Sequence, residues 1–239
     1  MNILKYEDSL NQLPKPSDYG ETKEEQLYTV ALELCITWLN RILFLKLLEG
    51  QLIRYHQGDE SYKFLHSGLI PGYDALNKLF FHVLAVKEKD RNEKIKMVFG
   101  NVPYLNSSLF EPSELEHKTI RISNLDDNST IPIISGTVLK DVSGNKVKGE
   151  EKTLHYLLKF LDSYDFSSEG KEEISEENKT LINASVLGLI FEKINGYKDG
   201  SYFTPGFITM YMCRETIRRA VIQKFNDLSA PLLRVMVLT

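Results

Sequence analysis

Residues 24–57 read EEQLYTVALELCITWLNRILFLKLLEGQLIRYHQ, and this stretch decides the fold. Glu24 and Glu25 place negative charge where the positive end of a helix dipole favours it. Beyond them, Leu34, Trp38, Ile42, Leu45 and Leu52 fall along one helical stripe. Cys35, Leu39, Leu43, Phe44 and Leu47 cover much of the remaining surface. A helix apolar on most of its sides belongs at the centre of a helical domain, so the chain is read as mainly α. This helix is expected to end near Gln57-Gly58.

Working outward, residues 1–20 are polar and punctuated by Pro14, Pro16 and Gly20, which reads as a tail or linker remnant. Residues 21–164 read as a helical connector domain. Helical segments are expected from Glu60 to His66, from Pro71 to Val86, and from Lys152 to about Tyr164. Between about 97 and 149, glycines and prolines alternate with β-branched runs (Thr119 to Ile122, Ile131 to Ile134, Thr137-Val138), and Ser143-Gly144-Asn145-Lys146 reads as a turn. A small β-hairpin and loop insertion is expected there. Residues 165–179 carry Glu169, Glu172, Glu173, Glu176 and Glu177 and read as an acidic linker. Residues 180–239 then hold a helix from Thr180 to about Asn195 and another from Pro205 to about Lys224.

Composition bounds the function. The chain has 239 residues, 42% of them hydrophobic and 26% charged, with a net charge of −4, which disfavours a strongly basic nucleic-acid wrapper. No run approaches the ~18 apolar residues of a membrane span. The N-terminus shows no secretory signal, and Cys35 and Cys213 sit in apolar segments and read as reduced, buried residues of a cytoplasmic protein. His56, His66, His82, His117 and His155 make no zinc-ligand spacing. There is no G-x-x-x-x-G-K-[S/T] loop, and the several acid-x-Lys triplets have no Pro-Asp partner, which argues against a motor or a nuclease centre. No catalytic residue and no metal ligand are assigned. Asn101-Val102-Pro103-Tyr104 has the look of a base-gripping Asn-Pro-Pro-Tyr loop, but Val102 breaks the double proline and the segment reads as structural.

Residues 187–217 read LGLIFEKINGYKDGSYFTPGFITMYMCRETI. Gly196 and Gly200 bracket a turn, Thr204 is placed to cap a helix, and Pro205 suits its first position. Such a helix start can hold a carboxylate or phosphate, with Tyr202 and Phe203 beside it. Further on, Arg214, Arg218 and Arg219 crowd one side of the last helix. They can meet DNA phosphates, or they form a solvated face with Glu215 paired to Arg219.

The run Leu187-Gly188, Phe191-Glu192, Gly200, Tyr202-Phe203-Thr204-Pro205 resembles the start of the adenine-N6 DNA methyltransferase domain of restriction-modification enzymes. Trp38 to Glu49 resembles the connector helix of the fused type II group, and Val102 to Phe110 and Leu157 to Phe166 resemble two further elements of that group. The resemblance implies a helical connector followed by the leading helices of a methyltransferase domain. It implies that the complete enzyme methylates adenine N6 with S-adenosylmethionine and cleaves DNA through a separate domain. Tyr202, Phe203, Thr204 and Pro205 would then be cofactor contacts, with Arg214 and Arg218 as candidate DNA contacts. The family's Asp-Pro-x-x-Gly-x-Gly loop and (Asn/Asp)-Pro-Pro-(Tyr/Phe) motif are missing, so the chain by itself is expected to be inactive and to bind no cofactor. The apolar run after Asn226 departs from the family pattern and suggests an interrupted reading frame or a cut chain. The expected partners are DNA and the modification, specificity or restriction subunits of such a complex, with no membrane. Type I and fused type II assignments both stay open, as does a plain DNA- or protein-interaction module.

Overall fold

The computed structural model describes residues 1–105, 107–166, 180–182, 184–199, 204 and 206–236. The chain divides into two compact units, Met1–Leu187 and Gly188–Thr239.

The first unit is built on the long helix. After the short α1 (Asn2–Tyr6), α2 runs from Lys23 to Tyr55, about 50 Å at 1.5 Å per residue. Its start is a capping box: the Thr22 hydroxyl accepts from the Glu25 N–H at 3.2 Å, and the Glu25 carboxylate accepts from the Thr22 N–H at 3.0 Å. The backbone N–H groups of Thr22 and Glu21 hold the Glu25 carboxyl below its usual value. Gln57 (φ 60°) and Gly58 (φ 88°) end the helix in the left-handed region.

The remaining helices are short: α3 (Tyr73–Lys78), which passes into one π-helical stretch over Leu79–Leu84, then α4 (Glu93–Phe99), α5 (Glu114–Lys118) and α6 (Thr153–Asp162). The fold is mainly α, as the sequence predicts. The core joins Leu34, Ile42 and Leu45 of α2 to Leu76, Leu79, Phe80, Phe110 and Ile122, all nearly inaccessible. Phe110 sits 6.0 Å, centroid to centroid, from both Phe44 and Phe80, which ties three separate segments together.

The predicted β-hairpin insertion is present. Strands β1 (Thr130–Pro132) and β2 (Glu150–Lys152) pair antiparallel, with Ile131 opposite Glu151. A two-residue parallel contact joins β3 (Tyr164–Asp165) to β4 (Thr180–Leu181).

Several local expectations differ from the structure. Thr119 to Ile122 is not a strand. A capping box between Ser113 and Glu116 starts α5 just upstream, and Ile120 and Ile122 are consumed by burial in the core rather than by pairing. Within Glu60–His66 only Glu60–Tyr62 makes a helical turn, because the Phe64 and Leu65 N–H groups bond to Glu49 instead. Residues 1–20 carry α1 and two 3-10 turns, with Leu4, Leu10 and Leu13 buried. Both cysteines are exposed rather than buried, since Cys35 lies between the buried Leu34 and Ile36 on a side of α2 that meets solvent. The predicted acidic linker falls almost wholly outside the described residues.

In the second unit, α7 (Ala184–Asp199) begins within the first unit's final residues and α8 runs from Gly206 to Met236. The last helix therefore continues past Lys224 and through Pro231, which removes one backbone donor without ending it. Phe207, Met210, Tyr211, Ile217, Val221, Ile222 and Phe225 of α8 are exposed.

Candidate functional site

The three connector-like sequence blocks meet in the first unit through two clusters of buried charge. In the first, Arg41 of α2 reaches the segment after the 3-10 turn Ser108–Phe110. Its Nη1 donates to Glu116 Oε1 at 2.6 Å and its Nη2 to Glu116 Oε2 at 2.9 Å. The Nε donates to the Leu109 carbonyl at 2.6 Å and Nη2 also to the Glu111 carbonyl at 2.8 Å. Trp38 Nε1 donates to Glu116 Oε1 at 2.8 Å, one helical turn from Arg41. The guanidinium lies 5.6 Å from the Phe80 ring centre and 5.3 Å from that of Phe81. Burial alone would raise the Glu116 carboxyl, but the Arg41 hydrogen bond, the Ser113 N–H, the Arg41 charge and the Trp38 N–H outweigh it and hold it below the usual range.

The second cluster lies further along α2. Lys46 Nζ donates to Glu49 Oε1 at 2.6 Å and to Asp162 Oδ1 at 3.1 Å. Glu49 Oε2 accepts from the Phe64 and Leu65 N–H groups at 2.8 and 2.5 Å. Lys63 Nζ donates to Asp162 Oδ2 at 3.0 Å. Burial works to raise the Asp162 carboxyl, and the two lysines overcome it and lower it. One turn on, Gly50 lies against the Phe166 backbone.

In both clusters the charged groups are bonded to one another and to backbone groups, which suits fixing segments in place. Among the described residues no group of His, Cys, Asp and Glu is placed to hold a metal ion. The Asn101 to Tyr104 segment is likewise fastened. Asn101 Nδ2 donates to the Ser61 carbonyl at 3.0 Å, Val102 is buried, and Arg91 Nη1 donates to the Val102 carbonyl at 2.7 Å.

Of the candidate cofactor contacts, Tyr202, Phe203 and Pro205 lie outside the described residues. Thr204 is exposed and precedes the first residue of α8 by two positions. Arg214 and Arg218 lie one helical turn apart on α8, and both are exposed. Glu215 pairs with Arg218, at 3.0 Å, in place of the expected Arg219. The buried clamps themselves escape a reading by periodicity. Arg41, Lys46 and Glu49 interrupt an apolar helix, and that interruption is the available signal.

The family described as "Domain of unknown function (DUF7814)" matches residues 1–182. A protein of Methanocaldococcus jannaschii, named as a type II restriction enzyme and methyltransferase, is 30% identical over 213 residues. The match spans 82% of this chain and 15% of that protein. No solved structure matches.

Proposed function

The chain belongs to the DUF7814 family, and from that premise we propose that it is the connector and methyltransferase-leading portion of a restriction-modification enzyme. The complete enzyme transfers a methyl group from S-adenosylmethionine to adenine N6 and cleaves DNA through a separate domain. Residues 21–164 form the connector, and residues 180–239 form the leading segment of the methyltransferase domain. The observation that carries this reading is the similarity to the Methanocaldococcus jannaschii protein across most of the chain. It is supported by the way Arg41 and Lys46 fasten the three connector-like blocks to one another.

In this reading Tyr202, Phe203, Thr204 and Pro205 contact the cofactor, with the α8 start facing its carboxylate. Adenine methylation requires a flipped base held in a pocket, and the residues for that lie in the catalytic motifs this chain lacks. The chain alone therefore transfers no methyl group and binds S-adenosylmethionine weakly or not at all.

Sequencing the flanking DNA in all frames tests the assignment. An Asp-Pro-x-x-Gly-x-Gly loop followed by an (Asn/Asp)-Pro-Pro-(Tyr/Phe) motif downstream is the expected result, and their absence in every frame defeats it. In the protein carrying those motifs, Tyr202→Ala should weaken S-adenosylmethionine binding measured by calorimetry. Unchanged affinity removes the cofactor role of this segment.

A further inference from the structure

The hairpin insertion carries a feature that the connector role does not use. Beyond β1 and β2 the pairing continues with the Ile133 N–H to the Gly149 carbonyl at 2.8 Å, is interrupted by a turn in which the Thr137 N–H donates to the Ile134 carbonyl at 3.0 Å, and resumes as a short ribbon with the Val147 N–H to the Leu139 carbonyl at 3.0 Å. Near its end Lys140 pairs with Lys146, and the Asp141 N–H donates to the Asn145 carbonyl at 2.8 Å. The tip is rigid. The Gly144 N–H closes a turn on the Asp141 carbonyl at 2.9 Å, Gly144 takes φ 81°, and the Asp141 carboxylate accepts from the Ser143 and Asn145 N–H groups at 2.9 Å each.

The ribbon has two faces. Leu139 and Val147 are half-buried, whereas their neighbours Val138, Lys140, Lys146 and Lys148 are exposed. Extended chain alternates its side chains, so Lys148 shares a face with Lys146 and hence with Lys140. The hydrogen bonds on either side of Lys140 and Lys146 make them a non-hydrogen-bonded pair, the arrangement that brings side chains closest. Like charges directly opposite one another destabilise a ribbon. Among the described residues none of the three lysines has an ion-pair partner. Lys146 makes one long hydrogen bond, 3.4 Å, to the Ser135 carbonyl. Asp141, beside Lys140, is occupied by the turn, and Glu150, two positions beyond Lys148, accepts from the Thr130 hydroxyl at 2.7 Å. At the apex Val142 is wholly exposed, at 108% of its reference area.

We propose that this ribbon is a DNA-contacting finger, which lays Lys140, Lys146 and Lys148 against the phosphates of a duplex and presents Val142 at its tip to the groove. A two-stranded ribbon fits the major groove, and a polyanion relieves the repulsion that the lysine pair creates. The protein as a whole carries a net charge of −4, so attraction to DNA must be local, and here three exposed lysines without ion-pair partners outnumber the one neighbouring carboxylate free of an ion pair and of the turn, Glu150. The choice of DNA rests on the restriction-modification reading; the basic face does not.

The test is binding of the 239-residue chain to a fluorescent random-sequence duplex, followed by anisotropy from 50 to 200 mM salt. The slope of log affinity against log salt becomes shallower by about 0.9 for each phosphate that the protein ceases to neutralise. The variant K140Q/K146Q/K148Q should therefore flatten it by about 2 to 3. Val142→Asp should weaken binding at every salt concentration, and matched thermal unfolding of all proteins shows that folding is intact. No binding by the unaltered chain at 50 mM salt overturns the proposal, as does an unchanged slope in the triple variant. Equal, lysine-dependent binding of poly-glutamate also overturns it, by assigning the face to an acidic protein. Lysine-dependent DNA binding in a gene without methyltransferase motifs removes the enzyme assignment and leaves the finger. The motifs without ribbon-dependent binding do the reverse.

Discussion

Arg41 and Glu116, 75 positions apart, meet through paired N–H···O bonds at 2.6 and 2.9 Å, with both side chains buried. The pair is bidentate and completed by Trp38 and two backbone carbonyls, so neither charge is left uncompensated.

Removing one partner of that pair is expected to be severe. Arg41→Ala leaves the Glu116 carboxylate buried without its cation and should cost about 3–5 kcal/mol of stability, read by urea unfolding. The double replacement R41M/E116L removes both charges together and should recover most of the loss. Equal loss in the single and double variants would mean the clamp acts through packing alone.

Acid should unfold the first unit through the same groups. Glu116 and Asp162 are both held below their ordinary values in the folded state. A depressed carboxyl contributes stability that is full above its unfolded pKa, about 4.3 for Glu and 3.9 for Asp, and is lost as pH falls through the folded value. The urea midpoint should therefore fall below about pH 4, and Glu116→Gln should flatten that fall while lowering stability at pH 7. An identical pH slope in the variant would exclude Glu116 as a source.

Glu49 makes a prediction at the level of individual amides. Its Oε2 is the acceptor for the Phe64 and Leu65 N–H groups, so Glu49→Ala should raise hydrogen exchange at those two positions well above that of the α2 interior. Unchanged protection there would show that another acceptor replaces the carboxylate.

Gly50→Ala tests the fit of α2 against the chain that follows α6. A Cβ at this position would stand 2.9 Å from the Phe166 carbonyl carbon and 3.0 Å from its oxygen, both backbone atoms. The expected cost is about 1–3 kcal/mol, the range for overpacking, and is measurable as a lowered Tm. A neutral or raised Tm would show that the Phe166 segment gives way freely.

The existence and extent of α2 are legible in the sequence because they follow from local chemistry alone. The Thr22–Glu25 cap and the helical apolar spacing beyond it act through neighbours in the chain. The hairpin is legible for a similar reason, since Ser143-Gly144-Asn145 specifies its own turn. Thr119 to Ile122 reads as a strand and is not one, because β-branched residues serve a buried turn equally well, and burial depends on what packs above them. The leucines of residues 1–20 are hidden among polar and proline residues for the same reason.

The sequence by itself determined that this chain is helical, where its long helix starts, and which family of blocks it resembles. Only the tertiary structure decided what the charges inside α2 are for. Lys46 and Glu49 are spaced to pair on α2, but Arg41 and the remaining bonds of that pair have no assignable partners in the sequence, because Glu116, Asp162 and the Phe64–Leu65 amides come from distant segments. Burial removes water as an alternative partner, so those distant groups must meet the charges, and the fold is closed by that requirement.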